Sequence, residues 1–422
     1  MKYQQVIAHR KSRLLSPVRR RFRIRKLYIF GFIMLVAAIF AIAYDPGGTH
    51  FTFANNNNDD LRQQLQNNVD DGIGNINLDD LDKMVSELEN SSIFGGGSFV
   101  SRVGRILSGE FNEDYPNLFV AIMALFGGVV LGIMPMMMLI VGVSVLSGFI
   151  QSLKSGSDGE GVRDVIHFVT YAAVVILVMV NVVDMVSMVG GTLGSMRRQM
   201  DIIFPILLTL MVSIGGNASA SVYQPAVAVL SNGVMQIFST VVMPIFIITL
   251  VFSVVGGISQ NTRLDKFVGF FTSAYKWIIG LVFTIFLAFL TIQGITAATH
   301  DGISVRAARL TISSYVPYLG GYISQGFDLV MASSILIKNA IGVAGLYLMF
   351  AVVLGPIVQI VVFGLGLKLA AAITQPIADK RISDFLTSIN KCFSMLVSVL
   401  IGAAFMYFLT IGLIIMTGNS IL

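Results

Sequence analysis

Residues 291–339 read TIQGITAATHDGISVRAARLTISSYVPYLGGYISQGFDLVMASSILIKN and stand between two strongly apolar stretches, Trp277–Leu290 and Ala340–Val362. The block carries Asp301, Arg306, Arg309, Asp328 and Lys338, the pair Gly320-Gly321, and a dense set of Ser and Thr. Hydrocarbon offers no hydrogen bonds, so polar side chains and irregular backbone beside a bilayer have to be buried in protein or line a wet cavity. A passive anchor has no use for such a segment. A pore, a gate or a docking surface does.

Outward from this block the chain is apolar. Of its 422 residues 55% are hydrophobic and only 12% charged, against about a quarter charged in soluble domains. Several runs reach the roughly 20 residues that a spanning helix needs. The alternation of a membrane β-barrel is absent. The sequence therefore predicts an all-α polytopic membrane protein with about seven transmembrane helices, including broken or re-entrant ones.

Leu118–Leu153 reads as one long span or as two helices meeting at Pro135, with a GxxxG spacing at Gly128 and Gly132 that would let helices approach closely. Val165–Val189 is the next span. Ile202–Ile214 is too short to cross alone and stops at Gly215-Gly216-Asn217, while Tyr223–Val255 is long and holds Pro225 and Pro244. These two read either as re-entrant helices or as ordinary kinked ones. A span starting at Lys276 and Trp277 precedes the polar block. After the block come Ala340–Leu367, interrupted by Gly355-Pro356, an Ala-rich continuation to Ile377, and a last span at Phe393–Met416.

Charge divides the chain. Residues 1–26 are a basic arm and 27–44 an apolar segment; ten Lys/Arg fall within residues 1–44, which suits a cytoplasmic flank under the positive-inside rule better than a nucleic-acid contact. The apolar segment ends in Ala41-Ile42-Ala43, a small-x-small pattern of the kind signal peptidase cuts. Cleavage after Ala43 is the preferred reading, and retention as an N-terminal anchor also fits. Residues 45–117 hold thirteen acids against four Lys/Arg, a local charge of −9, and are expected to be extracytoplasmic. Within them Leu78, Leu81, Met84, Val85 and Leu88 recur at helical spacing, as do Phe99, Val103, Ile106 and Leu107. The second short helix puts Arg102 and Arg105 on its polar side, which fits either a membrane surface or packing on the protein's own loops. Residues 118–422 form the polytopic domain.

No catalytic constellation stands out. The patterns GxxxxGK[ST], HExxH and GxSxG do not occur, so energy for any transport is expected from a partner or a gradient. Cys392 is the single cysteine and the four histidines are scattered, which leaves no Cys/His cluster for zinc or iron and no cofactor to expect. Polar residues in or beside the spans are the candidates for conduit or docking roles. Asp184 has Asn181 three residues before it on one helical face, and reads either as a buried functional carboxylate or as a solvated one at the interface. Gln293 and Gln359 are placed to hydrogen-bond between helices. Arg306 and Arg309 share one face of a short helix after Asp301-Gly302, where they fit partner acids, lipid phosphates or plain solvation, and Lys338 reads best as a snorkelling cation on an interfacial helix.

A family resemblance rests on an ordered series of motifs. Gln293-Gly294, Thr299, Asp301-Gly302-Ile303 and Arg306-Ala307-Ala308 are followed by Val316-Pro317-Tyr318-Leu319-Gly320, then Ser333-Ser334 with Lys338-Asn339, then Lys368 to Ala372 with Gln375-Pro376. With the Ser213–Gly216 turn, Gln224-Pro225, Val242-Met243-Pro244 and Thr417-Gly418-Asn419, the chain from about residue 78 onward resembles the stage III sporulation protein AE family of endospore-forming bacteria. The resemblance implies a multi-pass protein of the mother-cell membrane around the forespore, in a secretion-like channel complex that supports forespore development. It implies as partners an ATPase, ring-forming subunits of the same operon and, across the gap, stage II sporulation protein Q. It supplies no substrate and no catalytic residue. The alternatives are a stand-alone secondary transporter, for which no internal repeat is evident, and a non-conducting scaffold of the same complex.

Overall fold

A computed structural model of the chain describes residues 67–69, 71–74, 76–87, 97–108, 118–153, 160–258, 264–315, 320–376 and 380–417. The basic arm, the 27–44 segment and the Val316-Pro317-Tyr318-Leu319 motif lie outside these residues, and within 294–325 only the backbone is described. Every regular element among the described residues is helical. Six of the helices are long and apolar enough to span a bilayer. The chain is an all-α polytopic membrane protein.

Two short helices come first. In α1 (Asp79–Ser86) Leu81 and Val85 are buried. In α2 (Phe99–Ser108) Phe99 and Val103 are buried. The start of α2 is capped twice: the Ser98 hydroxyl accepts the Ser101 N–H at 3.1 Å, and the Asp82 carboxylate accepts the N–H groups of Phe99 and Val100. Asp82 thus joins α1 to the positive end of α2 and satisfies donors that a helix start leaves open.

The spans are α3 (Leu118–Leu153), α4 (Glu160–Ser213), the composite α5, α6 (Asp265–Tyr315), α7 (Gly320–Thr374) and α8 (Lys380–Met416). Helix α5 starts as Asn217–Ala228 and ends as Met243–Ile258, passing through π-helical turns at Val229–Val234 and Phe238–Val242. Helix α3 is one helix with Pro135 inside it. Three expectations change here. Ile202–Ile214 is no separate segment, because α4 runs unbroken from Val165 past Gly190-Gly191 and Arg197-Arg198 to Ser213. Where no water competes, the backbone satisfies itself only within the helix, and that outweighs the weak local preferences of glycine. The interruption expected in Tyr223–Val255 is present as the two π-helical stretches, not as a re-entrant turn. Pro244 lacks the N–H that would reach the carbonyl of Thr240, and a wide turn before a proline accommodates that loss. Finally, Gly355-Pro356 does not interrupt α7, which carries Pro356 within its length.

The polar block is likewise more regular than its composition suggests. Apart from 316–319, it forms the end of α6 and the start of α7. Helix α4 stops where the glycines predict. Gly215 has φ +83°, its N–H bonds the carbonyl of Val212 and that of Gly216 the carbonyl of Met211, both at 2.9 Å. This is a Schellman end, which needs a residue free of Cβ strain at Gly215.

Helix α7 is the centre of the bundle, packed against α8, α4, α3 and α2, while α6 lies against α5. Its most apolar stretch is 67% buried, against 11% for α3. Close approaches fix the register. A Cβ on Gly342 would stand 2.6 Å from Ile415 of α8, one on Gly345 2.7 Å from Ile203 of α4, and one on Gly366 3.0 Å from Met137 of α3. At the far end of the bundle the Tyr171 hydroxyl donates to the carbonyl of Val254 at 2.9 Å, which ties α4 to α5.

Candidate functional site

Lys338 sits where the polar block enters the bundle, and its side chain has 0% exposure. Its ammonium group donates to the carbonyls of Ile415 (3.2 Å) and Thr417 (2.5 Å). These are terminal carbonyls of α8, which the helix itself leaves unpaired and which carry the negative end of its dipole. The Thr417 hydroxyl donates to the carbonyl of Leu413 at 2.8 Å and meets the Tyr223 hydroxyl of α5 at 2.9 Å. Lys338 and Tyr223 therefore fasten the end of α8 to α7 and α5. The snorkelling expected for Lys338 is overturned: a cation with three donors finds acceptors inside the bundle, so its head does not need water.

Two turns further along α7, Gly345 forms a second polar point. Its carbonyl accepts the Gln199 amide N–H of α4 at 2.6 Å. The Tyr407 hydroxyl of α8 lies 3.5 Å from where a Gly345 Cβ would stand, and Gln199 and Tyr407 both have 0% exposure. The Gln199 Oε1 and the Tyr407 Oη find no hydrogen-bond partner among the described residues. Phe204 packs on Tyr407 with ring centroids 5.5 Å apart. Close by in sequence, Tyr347 lies under the Arg102 guanidinium, 4.9 Å from its ring centroid. Arg102 is buried, so α2 packs on the membrane bundle itself and not on loops, with its arginine turned inward.

The other predicted residues fall as follows. Asp184 is exposed midway along α4, and Asn181 turns to its own helix, donating to the carbonyl of Leu177 at 3.2 Å. Gln293 is buried on α6 with its Oε1 unpartnered among the described residues. Gln359 is exposed on α7, and the inter-helix bond expected of it is not made among the described residues. Its position on the outward face of α7 places the amide away from the packed neighbours. The backbones of Arg306 and Arg309 belong to the long α6, which also includes Asp301, and not to a short separate helix; the side chains of all three lie outside the described residues. Cys392 is buried, as expected of a small apolar residue in a helix. Among the described residues no His/Cys/Asp/Glu group is arranged to hold a metal.

One polar group went unread in the sequence. On the outer surface, Arg197 of α4 donates to the Asn232 side chain of α5 at 2.7 Å and to Gln236 at 3.5 Å, and it lies 4.0 Å from Asp201. Gln236 in turn donates to the Thr240 hydroxyl at 2.7 Å. Arg197, Arg198 and Asp201 lie between two segments that the sequence had separated. The signal was present as three charges inside a helical repeat that keeps Val189, Leu193 and Met196 on one buried face.

Motifs far apart in sequence thus meet in space: Lys338 with Thr417, and Thr417 with the tyrosine that precedes Gln224-Pro225. A family model described as stage III sporulation protein AE matches residues 98–418. Among curated proteins, stage III sporulation protein AE of Bacillus subtilis (strain 168) is 25% identical over 277 residues, covering 66% of this chain and 69% of the relative. No solved structure matches the chain. The match spans all six membrane helices and the seam around Lys338, and the chain belongs to the stage III sporulation protein AE family.

Proposed function

We propose that this chain is a membrane subunit of the secretion-like channel that links mother cell and forespore during endospore formation, and that forespore development requires it. The observation that carries this reading is the family match over 98–418, joined to six spanning helices. In this reading the protein sits in the mother-cell membrane around the forespore. Its partners are a separate ATPase, ring-forming subunits and, across the gap, stage II sporulation protein Q. The acidic 45–117 segment then faces that gap, with its helix α2 set against the bundle by Arg102 over Tyr347 and its helix α1 joined to α2 through Asp82. The test is deletion of the gene in the sporulating host. Arrest after engulfment is expected, with recovery of ATPase and ring subunits when the solubilised protein is pulled down. Normal numbers of heat-resistant spores contradict the proposal.

A non-conducting scaffold for the same complex is the second reading. It is favoured by the filled centre of the bundle, where Gly342 and Gly345 bring α7 against Ile415 and Ile203. It predicts that charge changes at Arg306 or Arg309 alter assembly and leave ion conductance of the assembled complex as it was.

A further inference from the structure

The outward face of α4 changes character halfway along. Up to Val183 it is apolar, with Phe168, Ile176, Val180 and Val183 all exposed, and beyond that no large hydrophobic is exposed on this helix until Val212. The intervening exposed positions are Asp184, Ser187, Gly190, Gly191, Gly194, Arg198, Asp201, Pro205 and Thr209. Beside them α5 exposes Asn232, Gln236, Ser239 and Thr240, over its two π-helical stretches and the α-helical turn between them, flanked by the exposed Val229 and Val241. The hydrogen bonds among Arg197, Asn232, Gln236 and Thr240 run along the surface and not into the bundle.

This polar face is not simply the part of the bundle that stands clear of the membrane. The bond from Gln199 to Gly345, with Tyr407 beside it, sets Arg198 and Asp201 level with residue 407 of α8. Helix α6 runs alongside α8: the Tyr275 hydroxyl donates to the carbonyl of Met395, and Phe283 lies against Gly402. That register puts Ile285 and Ile292 on either side of the Tyr407 level, and they are 59% and 66% exposed. At one depth, then, the bundle is isoleucine-faced on α6 and arginine- and aspartate-faced on α4. The polar stretch from Asp184 to Asp201 is about 25 Å long at 1.5 Å per residue, a large part of the roughly 30 Å hydrocarbon core. Acyl chains suit the first surface and cannot solvate the second.

We propose that the face formed by residues 184–201 of α4 and 232–240 of α5 fronts water within the depth of the bilayer, as one wall of an aqueous passage. Two arginines and two aspartates line it, so it takes water and small hydrated solutes of either charge and repels neither sign outright. Its glycines leave the wall low: a Cβ on Gly190, Gly191 or Gly194 would meet nothing within 4 Å. The inference locates, in this chain, the passage of the channel proposed above and takes its purpose from that reading. The wall itself stands on the packing alone.

The test uses the full chain in native membranes and a membrane-impermeant cationic thiosulfonate. Only a thiolate reacts, and a thiolate forms in water and not in lipid. Cys392, the single native thiol, is buried, so the unsubstituted protein gives the background. Ser187→Cys, Gly194→Cys and Gln236→Cys are expected to label at least about tenfold faster than Val180→Cys and Ile285→Cys, because the thiolate supply differs by that order between wet and lipid sites. Ser187→Cys changes one atom, and monodisperse elution of each variant checks its fold. Equal, slow labelling at all five positions overturns the proposal. So does slow labelling at the three face positions with oxidative cross-linking there to a second copy or a partner helix, which would show protein and not water covering the face. Labelling reads the wall and spore counts read the channel, so the two proposals fail separately.

Discussion

Two cations of the membrane helices, Lys338 and Arg198, are treated by the bundle in opposite ways. Lys338 is enclosed, and its ammonium group is spent on carbonyls at the end of α8. Arg198 is exposed on α4, where its guanidinium donates to the Ser195 hydroxyl of the same helix at 3.2 Å and, among the described residues, to no other helix. Burying a charge is costly unless hydrogen bonds replace its water, and the exposed end of a helix is a ready set of acceptors. The first cation is therefore part of how the fold is held. The second joins no other helix among the described residues, and the aqueous face proposed above gives it its place.

The comparison can be broken at either pole. The largest effect is expected at Lys338. Lys338→Met strands two carbonyls that now accept from a charged donor, and should lower unfolding stability by about 2–4 kcal/mol, measured by denaturation in detergent. A loss near zero would mean that the end of α8 needs no such fastening. Next is Gly345→Val, which forces side-chain atoms onto Ile203 in a filled contact and should cost about 1–3 kcal/mol. Tyr223→Phe removes one hydrogen bond to Thr417 and should cost about 1 kcal/mol. At the other pole, Arg198→Gln and Asp201→Asn are expected to leave stability unchanged, since surface substitutions away from buried networks do little, and yet to reduce the count of heat-resistant spores. Destabilisation by these two as large as that of Lys338→Met would erase the distinction.

The sequence made the helical membrane fold legible because apolar runs of spanning length have one stable solution in lipid. The end of α4 was legible too, since Gly215 must take a left-handed conformation. Continuity was harder to read. Gly190-Gly191, Arg197-Arg198 and Gly355-Pro356 look like boundaries by local preference, but a helix in a bilayer cannot open its backbone without a substitute partner, and all three lie within helices. The seam was half visible. Lys338 drew notice as a charge after an apolar run, but its acceptors are backbone atoms of a segment 77 residues later, and no pattern in the chain announces a carbonyl. Gln199 and Arg102 were hidden for the same reason: a polar residue in a helix declares its chemistry, and its direction is set by packing. Arg197, Arg198 and Asp201 were missed through the false boundary placed beside them.

The most direct measurement is an experimental structure of the full-length protein in a lipid nanodisc, at a resolution that separates acyl chains from ordered water. The account predicts acyl chains along Val180 and Ile285 and none along α4 between Asp184 and Asp201, where water should contact Arg198 and Asp201. Lipid tails packed against Ser187, Gly194 and Arg198 would contradict it.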